Sequence, residues 1–478
     1  MGIFTARASR RSLAGLFLIA CLAPISALAL PPVGKVLWQQ QFNPTETSRK
    51  NVFLYSVGFL PDGAVLASGM RGEPDSSSAI GLRLDPATGG ILDSPAEWFL
   101  FEYTWNDYAH DRFNDLVIMP SGEVLFAGQG YAAGWNTFSS RFNVPNIWKY
   151  SSTYNNPPAG NPDAPVWRTF HTGSGTAADN SGRFNGMSMD ASGNIVAVGF
   201  YTKLVSASSS RDWIIDKYDS EGNRLTGFPI ALDHVGLDDY AYDVATDSED
   251  NFIVAGSVLV DADADHHDWV VRKYSGDGTL LWEHQYDWAG KNDQALKLAV
   301  DANDDIIVSG YRREDLTDDN DWYLVKYAAD GDGVGGPNVL WDQAWDDGND
   351  EHGDAWEVVT EKSGSFYVVG RQQEDSSDPV FENRYRPVLQ FRSGETGDLL
   401  RMQKLELDPT PNNRPDVEHD ALSSMALDDG YLVIAGYTIQ DGGYQVVRGR
   451  TARVVMVSVR NIFGDRFEAS DGFTRTGM

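Results

Sequence analysis

The sequence predicts an all-β fold: a seven-bladed β-propeller of four-stranded antiparallel blades, closed by its own N-terminal strand. Three observations predict it. One unit recurs seven times, each copy supplies four short strands, and the series opens on an unmatched strand and stops one strand short.

The recurring unit is a short apolar strand, a turn rich in Asp, Asn and Gly, and a second apolar strand ending in glycine. Its copies end at Gly69, Gly128, Gly199, Gly256, Gly310, Gly370 and Gly436. Gly, Asp and Asn suit these turns because tight hairpins need positive φ at one or two positions. A third strand follows, clearest as DWIIDKY (Asp212 to Tyr218), DWVVRKY (Asp268 to Tyr274) and DWYLVKY (Asp321 to Tyr327). A Gly-containing turn then leads to a fourth strand, such as LWEHQY from Leu281 or LWDQAW from Leu340. Several strands are apolar on both faces, as expected when each blade is covered on both sides by its neighbours. The segment Val36 to Phe42 reads as a fourth-type strand with no hairpin before it. The last unit ends after its third strand, Ala452 to Val459. Pairing the two completes the seventh blade and leaves no open sheet edge.

The pattern resembles the bacterial delta-60 and related seven-bladed propeller repeats, in which a hairpin ending in VAG precedes a φxKY strand and an LW strand. Gly186 to Gly199 with Asp212 to Tyr218, and Asp243 to Gly256 with Asp268 to Trp282, carry the resemblance. The first two units and the last lack the DW and KY signature in whole or part. The resemblance implies the architecture; proteins of this kind are defined by fold and mostly lack an assigned activity.

The segment 1–29 reads as a signal peptide. Arg7, Arg10 and Arg11 precede an apolar run from Leu13 to Leu30 that is broken by Pro24, and Ala27-Leu28-Ala29 suits a signal peptidase. The expectation is an exported protein, periplasmic or extracellular, with the propeller over 30–460 and a disordered tail over 461–478. Two variants compete: Arg10-Arg11 as a twin-arginine signal, and Leu18-Ile19-Ala20-Cys21 as a lipobox that would anchor the chain through Cys21, its single cysteine. The tail segment Asn461 to Glu468 is similar to a short IFxDxFE ending of exported proteins. No later stretch is long and apolar enough to span a bilayer. A net charge of −31 argues against nucleic acid and suits cations or basic surfaces. The expected partner is an unidentified protein or small ligand, and the chain is expected to be monomeric.

Loops entering the first strand of each blade gather at one end of the ring. Asp111, Asp239 and Asp293 share one spacing to their units' last glycines, Gly128, Gly256 and Gly310. Asp354 and Asp420 stand one position nearer to Gly370 and Gly436. These carboxylates could ring the channel mouth and hold a hard cation such as calcium; alternatively each accepts hydrogen bonds from its own loop. Gly182 and Val52 take this place in the third and first units. His110, His352 and His419 stand one or two positions before such aspartates, a set that could bind a transition metal or serve as acid and base. Asp261, Asp263 and Asp265, followed by His266 and His267, and Asp330-Gly331-Asp332-Gly333, are candidate calcium loops without the full pattern of a calcium hand. Among the 14 tryptophans, Trp213, Trp269, Trp322, Trp282 and Trp341 fall on strand positions and are expected between blades, whereas Trp105 and Trp135 fall in loops. No nucleophile elbow, phosphate loop or CxxC site is present. The expected function is therefore non-catalytic presentation of a binding face. The alternative is an enzyme of lyase or glycosidase type with a His–Asp or metal site at the channel mouth.

Overall fold

A computed structural model describes residues 33–42, 51–73, 76–92, 99–101, 111–131, 143–151, 165–171, 181–205, 208–261, 266–313, 320–345, 352–373, 385–405, 418–440 and 449–459. Strand β1 (Lys35–Phe42) comes first. Blade 1 is β2 (Asn51–Phe59), β3 (Val65–Glu73), β4 (Ser76–Leu84) and β5 (Phe99–Phe101). Blade 2 is β6 (Arg112–Ile118), β7 (Val124–Tyr131), β8 (Asn143–Tyr150) and β9 (Trp167–Phe170). Blade 3 is β10 (Gly182–Met189), β11 (Ile195–Val205), β12 (Ser208–Tyr218) and β13 (Ile230–Leu232). Blade 4 is β14 (Asp239–Thr246), β15 (Phe252–Asp261), β16 (His266–Tyr274) and β17 (Leu280–Tyr286). Blade 5 is β18 (Gln294–Val300), β19 (Ile306–Arg313), β20 (Asn320–Tyr327) and β21 (Val339–Trp345). Blade 6 is β22 (Gly353–Thr360), β23 (Phe366–Gln373), β24 (Tyr385–Arg392) and β25 (Leu399–Lys404). Blade 7 holds β26 (Glu418–Asp428), β27 (Tyr431–Gln440) and β28 (Gly449–Ser458), and β1 is its fourth strand. The seven blades and the closure are those the repeats predict. Among the described residues there is no helix, and none long and apolar enough to cross a membrane.

The closing strand pairs antiparallel with β28 from Lys35 opposite Ser458 to Phe42 opposite Ala452. Its Trp38 and Phe42 enter a core shared with Val433, Ala435, Val454 and Met456 of blade 7 and Val52 and Leu54 of blade 1. The first described strand is thus fixed to the last across an apolar interface.

The glycine that ends each hairpin and the tryptophan of the DW motif depend on each other. Trp213, Trp269 and Trp322 are 0% exposed. A Cβ on Gly256 would stand 2.6 Å from the Trp213 ring of the preceding blade and 2.1 Å from the Tyr240 carbonyl of its own. Gly310 meets Trp269 and Gly370 meets Trp322 in the same way. The missing side chain therefore makes the slot that the neighbouring indole fills. The indole nitrogens are satisfied, Trp213 donating to the Ser257 carbonyl (3.0 Å) and Trp322 to the Arg371 carbonyl (3.0 Å).

In the three strands with both DW and KY, the lysine is buried against the first aspartate of its own blade's inner hairpin. Lys217 meets Asp190 at 2.9 Å, Lys273 meets Asp247 at 2.8 Å and Lys326 meets Asp301 at 2.7 Å. Each ammonium also donates to a backbone carbonyl in the outer turn of the next blade: Gly276, Ala329 and Gly394 respectively. Two outer-strand tryptophans also fasten an outer turn of the next blade, Trp38 donating to the Pro86 carbonyl and Trp341 to that of Gly394, the carbonyl that Lys326 also holds. The strand-placed tryptophans are structural.

Candidate functional site: a basic mouth above a polar channel

The innermost strands β2, β6, β10, β14, β18, β22 and β26 each contain a bulge at one common place in the repeat. A bulge re-aims the side chains beside it. Counted from this bulge, Asp111, Asp239, Asp293 and Asp420 are equivalent. Asp420 stands nearer to its glycine in sequence only because the hairpin of blade 7 is shorter by one residue. Asp354 falls one residue further into its strand, beside Ala355, and Gly353 takes the position the spacing suggested for it.

Asp239 and Asp293 are fully buried and act on their own loops. Asp239 accepts the His234 N–H (2.6 Å), and Asp293 accepts those of Trp288 (2.6 Å) and Arg313 (3.1 Å). Burial lifts both carboxyls to about 7, against the pull of those backbone donors. Asp111 is also buried, in a loop tied by hydrogen bonds between its backbone and Ser77. Asp354 is held by Arg371 (2.8 Å) and Asn320 (3.0 Å), and His352 accepts the Asn320 N–H on Nδ1 (3.1 Å). His110, Asp263, Asp265, Trp105, Trp135 and the side chains of His419 and Asp420 lie outside the described residues. Asp261 ends β15 exposed, opposite His266. Asp332 accepts the N–H groups of Val334 and Gly336 in an outer turn.

These raised carboxyls set a pH dependence. Each is neutral in the fold below about pH 7 but ionised in the unfolded chain above about pH 4, so the folded state binds the extra proton in that window. Stability must fall as pH rises through it. The melting temperature is expected to rise when pH drops from about 8 to about 5.5, and Asp239→Asn with Asp293→Asn should flatten that slope. An unchanged slope in the double variant would rule this origin out.

The residue after each bulge meets the inner strand of a neighbouring blade. Around the ring these are Ser56, Asp115, Gly186, Asp243, Lys297, Glu357 and Ser424. Three of them clasp the backbone of the following blade: Asp115 accepts from Met187 (2.7 Å), Asp243 from Leu298 (3.0 Å) and Ser424 from Val57 (3.1 Å). Gly186 leaves the space that Asp243 occupies, since a Cβ there would lie 2.8 Å from Asp243 Oδ1. Lys297 donates to Asp243 (3.4 Å) and lies 4.0 Å from Glu357. Burial lifts Asp115 to about 6 and also raises Glu357, while the surrounding carboxylates overcome burial to raise Lys297. A lysine held so firmly in its charged form is a poor base. The ring ties neighbouring inner strands together.

Above it, Arg112 of β6 and Arg183 of β10 occupy the same strand position in neighbouring blades, each adjacent to the residue that pairs with the hairpin glycine. Arg112 hydrogen-bonds to Tyr55, and its guanidinium lies 5.6 Å from that ring's centroid. Arg183 donates to Asn185 (2.7 Å) and stacks on Phe200 at 4.9 Å. Burial lowers both, and the positive charge of Arg112 helps pull Arg183 to about 9. A guanidinium gives up its proton very reluctantly, so the unfavourable term remains in the site as excess positive charge. Neither arginine has a carboxylate partner among the described residues, and Arg112 Nε has no hydrogen-bond acceptor there. The buried KY lysines, in contrast, each have one. Tyr240, Tyr242 and Gln294 complete this wall, with Tyr242 donating to Gln294 (3.1 Å). Sequence reasoning missed both arginines, although each directly follows the position that carries the recurrent aspartate, after Asp111 in one unit and Gly182 in the next.

No family model and no curated protein matches the chain. Its likeness is to solved structures. The polysaccharide lyase Uly1 is similar at 12% identity and a TM-score of 0.51, over 89% of this chain and 100% of that one. Sqt1 from Chaetomium thermophilum, bound to the N-terminus of ribosomal protein L10, is similar at 9% identity and 0.44, over 89% and 100%. An α-L-arabinanase from Penicillium chrysogenum, complexed with arabinobiose, is similar at 11% identity and 0.42, over 89% and 98%. At these identities the likeness is one of fold.

Proposed function

We propose that the chain, a propeller built from delta-60-type repeats, is an exported binding module whose long-loop face takes an anionic ligand. The observation that carries this is the pair Arg112 and Arg183: two adjacent guanidiniums without a carboxylate among the described residues, in a chain of net charge −31. A ligand carboxylate or sulfate would relieve their mutual repulsion, and guanidiniums suit such oxyanions by bidentate bonding. The rings of Tyr55 and Phe200, which Arg112 and Arg183 overlie, add apolar surface beside them. An acidic oligosaccharide combines both features. Titration calorimetry with uronate-bearing and sulfated oligosaccharides tests the proposal. Arg112→Gln or Arg183→Gln should weaken binding about tenfold or more, the loss of one charge-assisted hydrogen bond. Equal affinity in the variants, or no binding of any anionic saccharide, would overturn it.

One observation favours the enzymatic alternative. Tyr55 is a hydroxyl held at Arg112, and eliminative cleavage of a uronate needs both a group that neutralises the carboxylate and a base for the α-proton. The expected distinction is clean: a lyase would generate an unsaturated, ultraviolet-absorbing product that Tyr55→Phe abolishes, whereas a binding module leaves the saccharide intact.

A further inference from the structure

The third and fourth strands of blade 4 bring together three side chains that the motifs do not. His266 and Asp268 are two apart on β16 and so share a face. Trp269 pairs with Tyr286, which places Asp287 across from Asp268 where β17 runs into the loop. His266 Nε2 lies 3.2 Å from Asp268 Oδ1 and 3.3 Å from Asp287 Oδ1, and all three atoms fall within 4.8 Å of one another.

The contacts lie within ion-pair distance but lack hydrogen-bond geometry. Both His266 Nε2 and Asp268 Oδ1 are inaccessible to solvent and neither has a partner in bonding geometry. The Asp268 side chain is only 8% exposed, and its other oxygen accepts from Gln285 Nε2 (2.6 Å), which turns Oδ1 toward the imidazole. Asp287 Oδ1 is fixed by the Gly290 N–H (2.8 Å). Leaving a buried carboxylate oxygen and an imidazole nitrogen unsatisfied is unfavourable. These two separations match the edge of a tetrahedron around an ion with bonds of about 2.0 Å, which is roughly 3.3 Å.

We propose that His266, Asp268 and Asp287 bind one divalent transition-metal ion of the zinc class. One imidazole nitrogen and two carboxylate oxygens are a borderline donor set, suited to such an ion rather than to calcium, which takes six or more oxygens. Gln285 is the outer partner that orients Asp268. The exposed side of Asp287 leaves a fourth position open to solvent or ligand. The ion ties the start of β16 to the β17–β18 loop, on the same face as the arginines but in a different blade.

The test uses the full exported chain, stripped with a chelator and titrated calorimetrically with zinc chloride and, separately, calcium chloride. One equivalent of zinc is expected to bind and to raise the melting temperature by mass action. His266→Ala should weaken uptake on the order of a hundredfold or more, and Gln285→Ala by about tenfold, as removal of an outer partner does. Asp287→Asn changes a half-exposed residue and keeps an oxygen for the Gly290 N–H, so it guards against loss of folding. No zinc uptake by the native chain, or stoichiometric zinc that persists in both His266→Ala and Asp287→Asn, would overturn the proposal. Calcium uptake that depends on Asp268 but not on His266 would overturn the assignment to a transition metal.

Discussion

Deletion of residues 35–42 is expected to abolish cooperative folding. The segment is the fourth strand of blade 7, so its loss opens the hydrogen-bonding edge of β28 and uncovers the core between blades 7 and 1. Truncating a buried Phe or Trp alone costs roughly 3–5 kcal/mol. Trp38 and Phe42 both go, against a total stability of about 5–15 kcal/mol for a typical domain. The bare edge would then recruit other chains. The truncated protein should aggregate or melt without a cooperative transition, by calorimetry and light scattering. A synthetic peptide covering 33–42 should restore part of the transition by adding the strand in trans. A truncated protein with the native melting temperature would refute closure by this strand.

Lys326→Ala should be the most damaging single substitution among the ion pairs. The ammonium lies 2.7 Å from Asp301 and 3.2 Å from Asp305 and donates to the Gly394 carbonyl of the next blade. The side chains of Lys326 and Asp301 are 7% and 0% exposed, so the substitution strands a buried carboxylate. Breaking such a pair from one side costs roughly 3–5 kcal/mol, whereas replacing both partners by apolar groups of similar volume is often neutral. Because Asp301 also accepts the N–H groups of Asn303 and Asp305, Lys326→Met with Asp301→Asn, which removes the stranded charge but keeps that acceptor, should recover part of the loss. Arg211→Ala, which breaks an exposed pair with Asp238, should cost about 1 kcal/mol or less. Chemical denaturation of the native chain and these three variants decides the matter. Equal destabilisation by Lys326→Ala and Arg211→Ala would show that the KY lysines do not clamp the blades.

The DW and KY signatures were legible as repeats because each of their residues has one job dictated by its immediate neighbours. Tryptophan fills the slot left by the next blade's glycine, and lysine meets the aspartate of its own hairpin. The motif residues recur at the same places within the third strand of these units, so a linear reading finds the motifs, whereas the distance along the chain to the glycine or aspartate each one meets varies from unit to unit. The same regularity misled the site assignment. Counting back from the glycines set Asp354 beside Asp420 as a pair of near matches, but a shortened hairpin in blade 7 and a one-residue offset in blade 6 give the two different places. A shift of one residue in a strand turns a side chain to the opposite face, which spacing alone cannot register.

The acidic run before His266 drew attention to itself by composition. The arrangement with unsatisfied donor atoms instead uses His266, Asp268 and Asp287, the last contributed from the end of the adjacent strand. Arg112 and Arg183 were equally inconspicuous, since their significance lies in standing side by side in neighbouring blades without a counter-charge among the described residues. By itself the sequence determined the seven blades, the strand content and the closure, because these follow from local turn chemistry and from apolar runs repeated in register. Tertiary structure alone decided where charge is left uncompensated. That balance depends on which side chains from separate blades meet at the mouth, and on how far burial removes the water that would otherwise screen them.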